Sequence, residues 1–287
     1  MEVGQLNKKV VFVIQARMKS TRLPGKVLLP IPLCSKKPLL SWIFDELKKS
    51  KYRNDIVVAT SVNKENDVLV SYCESNGVNY FRGEEENVLS RFFSIVKNEK
   101  YDCIVRLTAD NPIIDITVLD ETIAYHLAKK NDYTCSEGLP VGMNFEVVDP
   151  DCLLSIEKNQ LTALDKEHVT LFIKSSGKYK TDIFRPIVNP MLKDLRLTLD
   201  YASDYALLSV ILSRCENEKS LNGIKLIEST FDMYPWLFES NSTNYQKKQY
   251  ATVLDELEAA AMFLEQNDFF RASNVLRIAE KGLEDNN

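Results

Sequence analysis

Val10-Val11-Phe12-Val13-Ile14 runs without a break into Gln15-Ala16-Arg17-Met18-Lys19-Ser20-Thr21-Arg22-Leu23-Pro24-Gly25-Lys26. Five apolar residues in a row predict a strand buried on both faces, as in a parallel sheet. The loop behind it holds four cations (Arg17, Lys19, Arg22, Lys26) and two hydroxyls (Ser20, Thr21). Parallel α/β folds place their ligands at the carboxyl ends of the strands. Positive charge gathered there points to a polyanion, most simply a nucleoside triphosphate. The loop is neither a Walker phosphate loop nor a Gly-x-Gly-x-x-Gly turn. Pro24-Gly25 alone reads as an ordinary turn, so a solvated surface loop stays open beside the phosphate reading.

Outward from this point, short apolar stretches alternate with amphipathic ones as far as about Phe231. A helix over Leu39–Lys49 leads to a strand at Ile56–Ala59, and one near Glu65–Ser75 leads to Val78–Phe81. A third, near Asn87–Lys97, leads to Cys103–Leu107. This alternation predicts βαβ units, hence an α/β fold of three layers, αβα, around a mostly parallel sheet. Asp115 is placed to cap a helix carrying Val118, Leu119, Ile123 and Leu127. The middle is less regular. Tyr133–Cys135 and Asn144–Val148 read as strands around a Gly138–Gly142 turn. A helix near Lys166–Lys174 with Asp165 as cap follows, then strands at Thr181–Phe184 and Arg196–Leu199 and a helix from Ala202 to Arg214.

Glu239-Ser240-Asn241-Ser242-Thr243-Asn244 is polar throughout and reads as a linker. Residues 1–239 then form one domain and 240–287 a C-terminal α-hairpin. Tyr250, Val253, Leu254, Leu257, Ala261 and Leu264 keep helical spacing. Phe269, Ala272, Leu276, Ala279 and Leu283 do so after a break at Gln266-Asn267-Asp268. A lone hairpin has an apolar face that must dock, on its own domain or on a second subunit, and a homodimer is the expectation.

Composition excludes several classes. The formal net charge of −5 over 287 residues argues against nucleic acid as partner. No run of 18 apolar residues predicts a membrane span. The start, Met1 to Lys9, lacks the apolar core of a signal peptide, so a cytoplasmic site of action is expected. The six cysteines are dispersed and only two histidines exist, His126 and His168. Reduced, mostly buried thiols are expected, not a zinc site or a disulfide framework.

The loop Gln15–Lys26 resembles the signature of the cytidylyltransferases grouped with spore-coat polysaccharide biosynthesis protein F, relatives of the acylneuraminate and ketodeoxyoctulosonate cytidylyltransferases. Further segments match in the same order: Phe81-Arg82-Gly83 with Asn87–Arg91, Val105–Asp115, Glu167-His168-Val169-Thr170, and Leu195–Asp200. Together they span about Val10 to Leu212 and leave the hairpin outside. The resemblance implies a Rossmann-like, GT-A-like nucleotidyltransferase domain that uses CTP and Mg²⁺. Such an enzyme would transfer CMP to a sugar acid, or a similar acidic or phosphorylated acceptor, for surface-glycan assembly.

By that resemblance Arg17, Arg22 and Lys26 are the catalytic cations. Gln15, Ala16, Ser20, Thr21, Arg82 and Thr108 line the nucleotide with them. Asp110 and Asp200, each ending a predicted strand, are the magnesium carboxylates, since Mg²⁺ takes hard oxygen ligands. Glu146, Glu167 and His168 face the acceptor. Read from the residues alone, Asp110 and Asp200 are more readily helix caps than metal ligands, while Arg82 is equally an ion-pair partner of Glu84 or Glu85 and His168 a structural residue. The chain departs from its relatives at Ala109-Asp110-Asn111-Pro112, where Gly-Asp-Cys-Pro is common, at Asn87 and Asn144, where Asp is frequent, and at Lys19, often glycine. A uridylyl- or guanylyltransferase acting on a sugar 1-phosphate is the rival enzyme, and a nucleotide-binding scaffold the rival outside enzymes.

Overall fold

The computed structural model describes residues 8–52, 55–218, 222–244 and 252–284. The expectations for the first residues and for Tyr250 lie outside the described residues. In chain order the elements of the larger unit begin with β1 (Val10–Gln15), α1 (Leu39–Leu47), β2 (Asp55–Ser61), α2 (Asp67–Ser75), β3 (Asn79–Gly83), α3 (Val88–Asn98), β4 (Cys103–Thr108) and α4 (Ile116–Lys129). They continue with β5 (Tyr133–Ser136), β6 (Glu146–Val148), α5 (Pro150–Ser155), α6 (Ala163–His168), α7 (Leu171–Ser175), β7 (Thr181–Phe184), α8 (Ala202–Asn217) and α9 (Gly223–Met233).

These strands form one seven-stranded sheet in the order β3-β2-β1-β4-β6-β5-β7. β1, β2, β3 and β4 run parallel, β6 runs antiparallel to β4 and β5, and β7 pairs parallel with β5. The predicted three-layer architecture is therefore present. Val10, Phe12 and Ile14 of β1 pack with α1, α4 and α8 on one side. Val11 and Val13 pack with α3 and α5 on the other. That two-sided burial is why β1 carries no polar residue before Gln15.

Local chemistry sets the helix starts. The Asp115 side chain accepts from the Val118 amide at 3.0 Å, the capping role expected for it, and also from the Ile224 amide at 2.9 Å. Asn87 caps α3 by accepting from the Ser90 amide at 3.1 Å.

Three expectations are corrected. The helix over Lys166–Lys174 is two, α6 and α7, divided at Val169, whose φ of 53° is a strained value for a β-branched residue. Its cap is Thr162, not Asp165, which instead closes a capping box from the third helical position. Arg196–Leu199 is not a sheet strand. It is an extended segment tied to Val141 on either side and to the Asp110 carbonyl through the Leu199 amide at 2.8 Å. Gly142 makes this approach feasible: its φ is 97°, and a Cβ there would stand 3.0 Å from the backbone of Leu197 and Thr198.

The third correction concerns the polar stretch after Phe238. Residues Pro235–Asn241 form a 3₁₀ helix, and Asn241 is only 1% exposed, because its side-chain amide donates to buried partners. The chain divides into compact units Met1–Thr243 and Asn244–Asn287. The second is a helical hairpin of α10 (Val253–Gln266) and α11 (Phe270–Glu284). Thr252 and Asp255 form a capping box on α10, and Glu265 accepts from Ser273 of α11 at 2.6 Å. Val253, Phe269, Phe270, Val275 and Ile278 of the hairpin stay exposed. Among the described residues all six cysteines are free, with Cys73, Cys103 and Cys152 buried and Cys34 exposed.

Candidate active site

β1 and β4 are neighbours in the sheet and run the same way, so the residues after Gln15 and after Thr108 emerge side by side. The cationic loop is pinned at this edge. Met18 donates its amide to Asn66 Oδ1 at 2.8 Å and accepts from the Gly25 amide at 2.9 Å. Gly25 has φ of 71°, a left-handed turn residue, and it starts a short 3₁₀ helix, Lys26–Leu28. The turn sends the Lys26 side chain inward: the residue is 9% exposed.

Lys26 Nζ lies 2.7 Å from Asp110 Oδ2 and 2.8 Å from Asp200 Oδ1. Arg22 Nη2 reaches the same Asp200 Oδ1 at 2.8 Å, while its guanidinium stacks 4.9 Å from the Tyr201 ring centroid. Residues from three distant parts of the sequence thus meet at one point. Burial would push the Asp200 carboxyl up, but Lys26, Arg22 and Arg196 outweigh it and hold it below the usual carboxylate range.

A second chain of contacts leaves the same edge. Gln15 Oε1 accepts from Arg106 Nη2 at 3.2 Å, and Arg106 Nη1 donates to Glu146 Oε2 at 2.6 Å. Glu146 Oε1 accepts from Tyr133 at 2.7 Å and from Thr170 and Lys174 at 3.1 Å each. Against the opposing effect of burial, Arg106 and Lys174 bring the Glu146 carboxyl down to about 2. The strained turn at Val169 aims Thr170 at Glu146, with the Thr170 amide 2.5 Å from the His168 carbonyl. Glu146 is thus tied to the backbone turn that follows His168 through Thr170. Glu167 is more open, with its carboxylate 3.9 Å from His168 Nε2.

The other expected residues are more scattered. Ala16 is buried and pairs its amide with the Ala59 carbonyl. Thr108 Oγ1 accepts from Asn111 at 2.9 Å. Ser20 and Thr21 lie on the open rim of the loop. Arg17 stands apart from Lys26, half-exposed, 3.8 Å from Glu85. Arg82, expected beside the pyrimidine or Glu84 or Glu85, instead bonds the Ser61 and Asn63 carbonyls at 3.1 and 3.0 Å and Asp67 at 2.8 Å. There it braces the connection between β2 and α2.

The sequence reading did not give roles to Arg91, Arg106, Arg196, Asp204 or Asn241. Arg91 is 1% exposed and donates to the carbonyls of Ala59, Glu84 and Glu85. Its signal was present: an arginine inside an apolar helical stripe, between Leu89 and Phe92, must bring its own acceptors.

The donor set bears on magnesium. Among the described residues no three His, Cys, Asp or Glu side chains cluster as a metal cage. Asp110 and Asp200 nevertheless direct one oxygen each at a single cation. Two hard carboxylates with room left for phosphate oxygens and water are what Mg²⁺ takes in nucleotide enzymes, so the residues fit it.

Fold and site together define a nucleotidyltransferase, with its candidate site at the carboxyl ends of β1 and β4. Residues 11–274 match the family model described as cytidylyltransferase, and the chain belongs to that family of CTP-dependent enzymes. An uncharacterized protein of Methanocaldococcus jannaschii, MJ1063, is 35% identical over 247 residues, covering 85% of this chain and 99% of the relative. Spore coat polysaccharide biosynthesis protein SpsF of Bacillus subtilis is 34% identical over 224 residues, 76% of this chain and 92% of the relative. A solved cytidylyltransferase from Leptospira borgpetersenii superposes with a TM-score of 0.74 at 27% identity, covering 85% of this chain and all of that one. No helix of the described residues is long and apolar enough to cross a membrane.

Proposed function

We propose that this enzyme transfers CMP from CTP to a sugar acid, or a similar acidic or phosphorylated acceptor, with release of pyrophosphate, for surface-polysaccharide assembly. The observation that carries this reading is the meeting of Lys26 and Arg22 with Asp110 and Asp200 at the strand ends. In the reaction an acceptor oxygen attacks the α-phosphorus, a new P–O bond forms, and the bond to the bridging oxygen breaks. The bonding pair leaves with pyrophosphate. Catalysis of such a step is positioning and neutralisation of charge.

Arg22 and Lys26 neutralise the growing charge on the leaving group, Lys26 as a point charge and Arg22 with a two-pronged fork. Arg17 turns from Glu85 to serve the same triphosphate. Ser20 and Thr21 hold the outer phosphates with their hydroxyls and backbone amides. Gln15, Ala16 and Thr108 form the base and ribose side. Asp110 and Asp200 hold Mg²⁺, which when bound supplies Lewis-acid polarisation of the phosphates. Glu146, Glu167 and His168 orient the acceptor. The reaction takes place in the cytoplasm, where CTP is made. The enzyme is a homodimer, a reading supported by the exposed apolar residues Val275 and Ile278 of α11.

The test is incubation with Mg²⁺, each of the four triphosphates and a panel of acidic and phosphorylated sugars, with pyrophosphate as readout. Release with CTP and an acidic acceptor is expected. Turnover with UTP or GTP, and none with CTP, overturns the assignment. Light scattering in solution tests the dimer.

A further inference from the structure

The two oxygens of Asp200 have different surroundings. Oδ1 faces Lys26 and Arg22, whereas Oδ2 accepts from Arg196 Nη2 at 2.9 Å. Arg196 is held in turn by Asp204, with Nε 3.0 Å from Oδ1 and Nη2 3.2 Å from Oδ2. Asp204 is completely buried, and its Oδ2 also accepts the amides of Asp200 and Tyr201 at 2.9 Å each. Further support comes from Asn241. Its Nδ2 donates to Asp204 Oδ1 at 2.8 Å and to the Arg196 carbonyl at 3.0 Å.

We infer that Asn241 is a positioning residue for the reaction: through Asp204 and Arg196 it fixes the carboxylate plane of Asp200, so that Oδ1 is presented to the triphosphate and metal. The inference rests on the proposed role of Asp200 as a metal ligand. A carboxylate turns about its last bond in a broad, two-fold well. Fastening one oxygen to a guanidinium that cannot move removes this freedom, and outer partners of this kind commonly tune metal affinity by about ten- to a hundredfold. A helix cap alone needs the two backbone amides at Asp204 and nothing more. Here the same carboxylate also grips an arginine by two nitrogens, and Asn241 holds both the arginine's backbone and the carboxylate that grips it. The residue comes from the 3₁₀ helix that ends the larger unit, far along the chain from every strand-end loop of the site.

The experiment titrates Mn²⁺ into the full-length protein with CTP and no acceptor, reading free Mn²⁺ by electron paramagnetic resonance. Asn241→Leu, of similar size but without donors, is expected to raise the Mn²⁺ dissociation constant about fivefold or more. CTP affinity at saturating Mn²⁺ is expected to stay within about twofold of wild type, since no nucleotide contact is removed. Asp200→Asn runs beside it as the control on the underlying reading. If Asp200→Asn binds Mn²⁺ as tightly as wild type, the metal assignment fails and the inference fails with it. If Asp200→Asn weakens Mn²⁺ but Asn241→Leu does not, the inference alone is overturned, and Asn241 merely fastens its own segment. Thermal melting monitors folding, and Asn241→Ser, held to the same threshold, replaces the leucine variant if that one does not fold.

Discussion

Lys26 and Asp200 are 174 positions apart in the sequence, yet their Nζ and Oδ1 atoms stand 2.8 Å from each other. The same ammonium is 2.7 Å from Asp110. Taking away this one charge leaves two carboxylates facing a common point in a largely buried place. Lys26→Met is therefore expected to lower turnover by about two to three orders of magnitude, the usual cost of a lost charge-stabilising donor. Stability should fall as well, by about 3 kcal/mol, since a buried pair is broken on one side only. Lys26→Arg should not restore the rate, because a planar fork cannot take the place of a compact ammonium between two carboxylates. Steady-state pyrophosphate release and urea denaturation measure the two effects. A Lys26→Met enzyme with near wild-type turnover would falsify the catalytic role.

Acid should destabilise the protein in two stages. Burial takes the His126 imidazole down to about 4 from 6.5, so between these values the unfolded chain binds a proton that the folded chain does not. Stability from this group is complete above 6.5 and declines as pH falls toward 4. Glu146 behaves as a depressed carboxyl, at about 2 against 4.5, and its contribution is lost as pH falls from 4.5 toward 2. Each span corresponds to about 3 kcal/mol, from 1.36 kcal/mol per pH unit. Urea unfolding at stepped pH should show His126→Asn flattening the upper stage, while Glu146→Gln flattens the lower. A wild-type profile level from pH 7 to 4 contradicts the first stage.

Arg91 makes a structural prediction that separates packing from chemistry. Its guanidinium is the hydrogen-bond donor to the carbonyls of Ala59, Glu84 and Glu85, at 3.3, 3.0 and 2.9 Å. Arg91→Met keeps the stem and leaves those carbonyls without this donor. A loss of about 2 kcal/mol is expected, at roughly 1 kcal/mol for the buried Ala59 carbonyl and less for each of the part-buried Glu84 and Glu85 carbonyls. Melting temperature reads this loss. Folded Arg91→Met enzyme assayed at low temperature should keep its turnover within a few-fold; a drop as deep as that of Lys26→Met would move Arg91 into the site.

Much of the parallel half was legible because β1, β2 and β4 are short and largely apolar and each is followed by a helix, with the cap of α4, Asp115, written in the sequence. The meeting of Lys26 with Asp110 and Asp200 was legible only through the resemblance. Nothing in residues 196–200 alone says that they will pass beside Val141 and the Asp110 carbonyl. The failures share a cause. Val169 breaks a helix by adopting a backbone angle its type disfavours, and Arg82 is engaged by the Ser61 and Asn63 carbonyls, partners that no pattern of side chains reveals. Asn241 hides in a polar run because a buried asparagine looks like a solvated one until its partners, Asp204 and the Arg196 carbonyl, are known.

The corrected boundary leads to a last prediction, made with two shortened chains that differ only in Ser240 to Thr243. Ending the chain at Glu239, where polarity suggests a linker, removes Asn241 and strips a donor from Asp204 and from the Arg196 carbonyl. Ending it at Thr243, where the compact unit closes, keeps both bonds. Losing two buried hydrogen bonds, one of them to a carboxylate, costs about 2 to 4 kcal/mol. For a unit of this size that is a difference of about 5 to 15 °C in melting temperature. The longer chain should melt cooperatively and bind CTP in the presence of Mn²⁺. The shorter one should melt lower, and its Mn²⁺ affinity should drop, because the support behind Arg196 is gone. Equal melting temperatures for the two chains would place the end of the folded unit before Asn241 and remove the reason for giving that residue any part in the site.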